Sequence, residues 1–330
     1  MISRAAMEEA YYWGGAAKFA IANAQFHLFG VEYRYERDAQ FRITTTGPVL
    51  PPHIERRRFL GQEWAQEKGQ SRLAGVTVEK GIGKEWQLGA GGFFSQNHPE
   101  KAFLQIFSSA DANGNARSVI LASPQQRFTA WSGEMKLGWH RQQGTFDHRI
   151  SAYLRGRRSS ARFGGDALLN LGMVNLFDEQ VQTDPLTLSA QSRDTDVVDQ
   201  IGAGLTYRFA WADRLLTSLS LFKTQYRKVF TRSGSPAEET TADPWLYNGM
   251  AIIPLTPSLS IYGSYTRGLE EAGVAPQTAV NRNAVLPPIH VRQRKWGFAM
   301  LCRPMRRWSS RGSISTSLMP AFAAIRTSMI

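Results

Sequence analysis

The chain has 330 residues, of which 42% are hydrophobic and 11% are aromatic, and it carries a formal net charge of +12. So many apolar and aromatic residues exclude an intrinsically disordered chain. A mean hydropathy of -0.32, without an uninterrupted apolar run of about 20 residues, excludes a membrane-spanning helix. A β-barrel in a membrane is compatible with these values, because each of its strands needs only one apolar face.

The positive charge does not predict a nucleic-acid partner. The segment 301–330 holds five arginines and no acidic residue, whereas the cations of the rest of the chain are scattered beside acids. A nucleic-acid module shows a basic helix or a basic groove studded with aromatic residues, and neither pattern occurs. We therefore predict no nucleic-acid binding.

Motifs that carry chemistry are also missing from the sequence. The six histidines lack the spacing of metal ligands, no GxSxG motif occurs, and no glycine pair is followed by the third glycine of a dinucleotide site. The single cysteine, Cys302, excludes a disulfide within one chain. Glu8 and Glu9 interrupt the segment where a signal peptide needs an apolar core, so no export signal is predicted. We expect no enzyme activity, no cofactor and no metal.

The first clear strand is predicted at residues 28–36. Phe29, Val31, Tyr33 and Tyr35 alternate there with glycine and charged residues, which is the period of two expected of a sheet. One face of this strand is therefore aromatic, and the other is charged.

A long loop and a hairpin follow in the sequence. Residues 46–69 combine prolines, glycines and charges without a sustained period, which predicts a long loop with room for one helical turn. The alternating segments 70–80 and 85–95 flank the short turn 81–84, which predicts a β-hairpin.

The alternation is clearest in the next hairpin, at residues 128–140 and 149–157. Trp131, Met135 and Leu137 share one face of its first strand, and small or charged residues share the other. Strands of roughly ten residues or more exceed the about 5 to 6 of globular sheets and fit the about 9 to 11 that cross a bilayer at a tilt. Residues 158–198 are predicted to be a very long connection.

The remaining predicted strands span 200–209, 215–226, 245–253, 258–266 and 291–300. Short turns, such as 210–213 and 254–257, alternate with long polar loops, such as 231–243. This alternation is expected when every hairpin enters a membrane from the same side. We predict an all-β fold: a partial antiparallel transmembrane β-barrel of about 12 to 14 long strands, with short periplasmic turns, long outer loops and no plug domain.

The stretch 258–297 contains a strand, a polar loop and the start of a second strand, with the motifs YGSYTRG, GVAPQTAVNRN and VRQ. This stretch resembles the barrel of TonB-dependent outer-membrane receptors, especially those for siderophores. The positions that match the family pattern are Tyr262, Tyr265, Thr266, Arg267, Gly268, Gly273, Ala275, Pro276, Ala279, Asn281, Asn283, Arg292 and Gln293. The segment RRFLGQEW at 57–64 is similar to a loop that such receptors carry after an early strand, and a weaker resemblance covers about residues 20–300.

The resemblance implies an outer-membrane location and a barrel whose outer loops capture an iron chelate. Its implied partners are outer-membrane lipid, a ferric siderophore or similar small ligand, and the TonB complex, although the chain shows no TonB box. The candidate ligand-binding residues lie in the polar loop of the stretch 258–297, which we call the signature loop, and are Arg267, Glu270, Asn281, Arg282 and Asn283. Their charged and amide groups suit an anionic chelate.

Three regions are predicted along the chain. Residues 1–27 form an N-terminal remnant at the start of the barrel, residues 28–300 form the receptor-like barrel portion, and residues 301–330 form an anomalous basic tail. The tail loses the alternation, which fits either a shifted reading frame or a disordered native tail. The predicted function is that of a receptor fragment that is not competent alone. The alternatives are a soluble or surface-attached β-rich binding module and a plug-less channel similar to a porin.

Overall fold

The computed structural model describes residues 8–45, 50, 53–54, 58–123, 125–185, 193–275, 279–281 and 284–300, and the backbone of 326–329. The described residues form seventeen β-strands, and they include no helix long and apolar enough to cross a membrane. In chain order the strands are β1 (Glu8–Ile21), β2 (Ala24–Asp38), β3 (Gln40–Thr45), β4 (Gln66–Ile82), β5 (Trp86–Lys101), β6 (Phe103–Ala110), β7 (Asn115–Ala122), β8 (Arg127–Gln143), β9 (Phe146–Phe163), β10 (Ala167–Asn175), β11 (Asp194–Trp211), β12 (Leu215–Thr231), β13 (Ala237–Ala242), β14 (Trp245–Thr256), β15 (Leu259–Glu270), β16 (Ile289–Met300) and β17 (Arg326–Met329).

Eleven of these strands are 12 to 18 residues long and form one antiparallel sheet in chain order. The order is β1-β2-β4-β5-β8-β9-β11-β12-β14-β15-β16, with the short β17 beside β16 and β13 beside β12. Each long strand exceeds the about 9 to 11 residues that cross a bilayer. The predicted architecture of long antiparallel strands is confirmed. The described part of this barrel sheet is not closed, since β1 pairs with β2 alone.

The two ends of the barrel sheet differ in the length of their connections. At one end, which we call the turn end, each connection has only two or three residues: 22–23, 83–85, 144–145, 212–214 and 257–258. Ala22 and Asn23 have φ values of 47° and 65°, as in the hairpin turns whose twist matches that of the strands. At the other end, which we call the loop end, the connections are 39–65, 102–126, 164–193, 232–244 and 271–288. The predicted alternation of short turns and long loops is confirmed.

At β8 and β9 the barrel sheet has one apolar face and one polar face. On β8, Trp131 and Met135 lie on the apolar face and are 58% and 54% exposed, and Leu154 of β9 stands directly opposite Met135 on that face. The other face carries Glu134, which stands opposite Arg155. We call the apolar face the outer face and the polar face the inner face. On β2, by contrast, the aromatic residues Phe29 and Tyr33 lie on the inner face and Glu32 lies on the outer face. The sheet curls around the inner face, because one cavity there is lined by six of its strands.

A second sheet is built entirely from connections of the loop end. Its order is β10-β7-β6-β3, and only the pair β3–β6 is parallel. The strands come from three different connections, 39–65, 102–126 and 164–193. We call this sheet, together with the segments 58–65 and 176–185 that contact it, the cap.

The cap was not predicted, and two expectations about its segments were wrong. Residues 46–69 are not one loop, because β4 begins at Gln66, and their described part contains no helix. Residues 158–198 are not one connection, because they contain β10. A bulge between Asn170 and Gly172 shifts the register of β10, and Gly172 has a φ of 88°. A bulge interrupts the period of two from which a strand is predicted.

The cap has a hydrophobic core of its own. Leu60, Phe107, Ile120 and Leu176 are each at most 1% exposed, and both hydrophobic clusters found in the described part of the chain lie in the cap. Leu60 belongs to the segment RRFLGQEW. Residues 58–64 of this segment therefore supply part of the cap core.

A buried glutamine joins the two segments that contact the cap sheet. Gln62 is 1% exposed, and its Nε2 donates to the carbonyl oxygen of Val181 at 2.9 Å. Its Oε1 accepts from the backbone N–H of Thr183 at 2.8 Å and from the Thr183 hydroxyl at 3.1 Å. Because a buried polar group is costly without a partner, these bonds fix segment 176–185 against segment 58–65.

Replacing Gln62 with Ala should loosen the cap while leaving the barrel sheet intact. The change removes the three hydrogen bonds that Gln62 makes to segment 176–185, and each such bond contributes about 0.5 to 1.5 kcal/mol. We expect hydrogen exchange at residues 181–183 to accelerate by at least about tenfold. Gln225→Ala, at an exposed position of β12, is the control and should change nothing. Unchanged exchange in Gln62→Ala would show that other contacts hold the segment.

Candidate functional site

A cavity of about 540 Å³ lies on the inner face, toward the loop end. Six neighbouring strands, from β2 to β11, each contribute to its wall. Among the side chains that line it are Tyr33, Ser71, Asn97, Phe128, Ser159 and Asp196. Aromatic rings interspersed with hydroxyl and amide groups form a surface suited to an organic ligand that is rich in oxygen atoms.

Two arginines of β9 extend this wall toward β11 and β12. Arg155 and Arg157 line a second cavity of about 350 Å³. The guanidinium of Arg155 lies 4.5 Å from the centre of the Phe222 ring, and this arginine forms no ion pair in the part of the chain that the structure describes. Arg157 donates from Nε to Gln200 Oε1 at 2.9 Å and from Nη2 to Glu271 Oε2 at 3.3 Å. This level of the inner face therefore carries two arginines beside the carboxylates of Glu134 and Glu271.

A buried lysine binds the signature loop to the same wall. The Lys228 side chain is 3% exposed and lies 2.9 Å from Asp196 Oδ2 and 3.3 Å from Glu271 Oε1. Its Nζ also donates to the carbonyl oxygen of Ala272 at 3.1 Å. A buried ammonium group needs such partners, because its desolvation costs several kcal/mol. Asp196, Lys228 and Glu271 therefore fix the start of connection 271–288 against the inner face.

Two polar atoms of this wall have no hydrogen-bond partner among the described residues. They are the Oδ1 atom of Asp196 and the hydroxyl of Tyr226, and both are buried. Asp196 also lines the larger cavity. The described residues contain no group of three or more His, Cys, Asp or Glu side chains that could hold a metal.

Two carboxyl groups of the loop end have lowered pKa values. The side-chain amide of Asn115 and nearby backbone N–H groups lower the pKa of Asp111, which lies between β6 and β7. The guanidinium of Arg227 lowers the pKa of Glu239 on β13. Both carboxylates are engaged in these local contacts, so neither is a free acceptor for a ligand.

The structure does not bring the predicted ligand residues together at the cavity. Arg267 and Glu270 belong to β15 and not to a loop, and Arg267 lies on the outer face, with its guanidinium 5.8 Å from the Tyr247 ring. Glu270 is exposed at the end of β15, and Asn281 is exposed in connection 271–288. Arg282 and Asn283 lie outside the described residues.

The residues that form the wall were missed in the sequence, although part of the signal was present. The alternation of 149–157 places Arg155 and Arg157 on the polar face of their strand, opposite Leu154. Nothing local marks Lys228, because its carboxylate partners come from positions 196 and 271, which only the folded sheet brings close.

Replacing Lys228 with Met should release the start of the signature loop. Asp196 and Glu271 would lose their common cation, and breaking a buried ion pair costs about 3 to 5 kcal/mol. Limited proteolysis should cut connection 271–288 at least about tenfold faster. The control is Lys223→Met. Lys223 lies on the same strand as Lys228, but its ammonium group pairs with Asp243. Equal cleavage in the two variants would contradict the role of Lys228.

The chain is similar to known proteins in its structure but not detectably in its sequence. No family model matches the chain, and no curated protein sequence matches it. The ferric-catecholate import receptor Fiu of E. coli K12 has a TM-score of 0.72 and 11% identity, over 94% of this chain and 53% of the receptor. The ferripyoverdine receptor of the outer membrane of Pseudomonas aeruginosa has a TM-score of 0.69 and 14% identity, over 88% of this chain and 39% of the receptor.

A third similar structure is BauA, the ferric preacinetobactin receptor of Acinetobacter baumannii. It has a TM-score of 0.66 and 16% identity, over 89% of this chain and 44% of the receptor. The chain thus spans about half, or less, of the length of the receptors that it matches. The resemblance to TonB-dependent receptors is confirmed at the level of the fold. The chain has the fold of the barrel portion of outer-membrane siderophore receptors.

Proposed function

We propose that the chain is the barrel portion of a TonB-dependent outer-membrane receptor for a ferric siderophore or a similar anionic chelate. The observation that carries this proposal is that one curled sheet exposes apolar side chains such as Trp131 and Met135 on its outer face, while Arg155 and Arg157 line a cavity on its inner face. The likeness to solved siderophore receptors supports it independently.

The outer face favours a membrane location over a soluble β-rich module. Trp131, Met135 and Leu219 are each more than half exposed on this face. A soluble sandwich would bury such a face against a second layer, whereas a barrel exposes it to lipid.

The inner face suits an oxygen-rich anion. Arg155 offers a guanidinium that forms no ion pair within the described residues, and Arg157 lies two residues along the same face. Guanidinium groups bind carboxylate and catecholate-type oxygen atoms through paired, charge-assisted hydrogen bonds. We infer that the chelate is held by these arginines and by the hydroxyl groups of the larger cavity, and that iron is cargo within the chelate. No bond in the ligand is made or broken, so transport is conformational and the TonB complex would supply its energy.

The ligand-binding residues predicted from the sequence have a minor role in this proposal. Glu270 and Asn281 are exposed at the loop end, where an arriving ligand would meet them first. Arg282 and Asn283 share that connection. Arg267 lies on the outer face and is removed from the proposed ligand site.

The double variant Arg155→Gln, Arg157→Gln should weaken ligand binding without unfolding the sheet. A hydrogen bond to a charged group contributes about 1.5 to 3 kcal/mol, so we expect the Kd for iron(III) tris-catecholate to rise at least about tenfold. Quenching of tryptophan fluorescence in detergent measures the Kd.

Arg158→Gln is the matched control, because Arg158 is adjacent in sequence but lies on the outer face and pairs with Asp199. The control should bind as the parent chain does. If the double variant and the control bind equally well, the arginines do not hold the ligand.

A further inference from the structure

Three arginines form a cluster on the outer face of the last long strands. Arg267 of β15 stands directly opposite Arg292 of β16, and Arg294 follows two residues later on the same face of β16. We call these three residues the arginine cluster. Arg292 and Arg294 are exposed. Like charges directly opposite each other destabilise a strand pair, so a negatively charged group beside the cluster would stabilise it.

The chain supplies no such counter-charge among the described residues. Elsewhere on the outer face Arg158 pairs with Asp199, and Arg227 pairs with Glu239 through two bonds of 2.9 and 2.8 Å. No carboxylate forms an ion pair with a member of the arginine cluster in the part of the chain that the structure describes. The Nε atom of Arg267 is buried and has no hydrogen-bond partner in that part either.

Two of the three cations of the cluster lie over aromatic rings. The guanidinium of Arg267 lies 5.8 Å from the centre of the Tyr247 ring, and that of Arg294 lies 5.6 Å from the Tyr265 ring. The two tyrosine rings stack on each other at 5.7 Å. These contacts orient the guanidinium groups but leave their charge unneutralised.

The cluster also lies where the apolar surface ends. From the loop end downward, the outward-facing residues of β16 are His290, Arg292 and Arg294, followed by Trp296, Phe298 and Met300, which are each more than half exposed. Tyr265 lies beside this transition. Tyrosines and tryptophans mark the boundary between acyl chains and headgroups. The arginines are therefore at the level of the lipid headgroups.

We propose that the arginine cluster is a binding site for the phosphate group of a membrane lipid. The acyl chains of this lipid pack on Trp296, Phe298 and Met300, and its phosphate lies between Arg292 and Arg294. Arginine suits this role because its planar fork binds phosphate oxygens in pairs. The inference rests on the membrane insertion in the proposed function but is independent of the ligand that is transported.

Bilayers of two compositions test the site: phosphatidylcholine alone, and phosphatidylcholine with a minor fraction of phosphatidic acid. The whole chain is refolded with each, and the inserted fraction and the midpoint of thermal unfolding are measured. Each basic residue near an anionic surface changes binding by roughly fivefold. The preference for phosphatidic acid is the ratio of insertion with this lipid to insertion without it. This ratio should be at least about tenfold smaller for the double variant Arg292→Gln, Arg294→Gln than for the parent chain.

The double variant Arg158→Gln, Arg227→Gln is the matched control, because it removes the same charge from the same face at arginines that have carboxylate partners. It should keep the preference of the parent chain. Insertion without any preference for phosphatidic acid, or an equal loss in both double variants, overturns the lipid site alone. Failure of the parent chain to insert in either bilayer overturns the lipid site and the proposed function together. Saturation of the preference by free inorganic phosphate would show an anion site that is not specific for lipid, and would also overturn the proposal.

Discussion

The whole structure depends on the pairing of backbone N–H and C=O groups between neighbouring long strands. A bilayer core offers no water to these groups, so each must be satisfied within the sheet. The pairing fixes the register, and a register shift of one residue would exchange the two faces. Because successive side chains of a strand point to opposite faces, Trp131 points outward and Ser132 points inward on β8. For the same reason, Leu154 and Arg155 lie on opposite faces of β9. The same constraint requires partners for the free edge of β1 when the sheet lies in a membrane.

The loop end is built on a different constraint. Residues outside the bilayer must bury apolar surface to hold a fixed shape, and the cap does so around Leu60, Phe107 and Ile120. Hydrogen bonds such as those of Gln62 hold its segments together around this core. Connection 271–288 is held instead through Lys228, against the barrel wall. The connections of the loop end are thus fixed in two ways: by the hydrophobic core of the cap and by the ion pairs of Lys228. Arg155 and Arg157 line a cavity on the inner face below them.

The long strands could be predicted from the sequence because their alternation persists over ten or more positions. The cap could not, because its strands are short, β10 contains a bulge, and β3 pairs with a strand about 60 residues away. The outer-face position of Arg267 was predictable in principle, since the alternation through Ile261 and Tyr265 extends to it. Assigning it to a loop hid that signal. The cluster around Lys228 depends on contacts distant in sequence and needed the structure.

The most direct test of this account is the environment of adjacent side chains on β8. In a Cys302→Ser background, single cysteines at Trp131, Ser132, Glu134 and Met135 carry a fluorescent label, and the refolded chain is studied in bilayers with quenchers confined to lipid or to water. The account predicts that labels at 131 and 135 are quenched from lipid and those at 132 and 134 from water. Labels at all four positions that respond to the same quencher would contradict it.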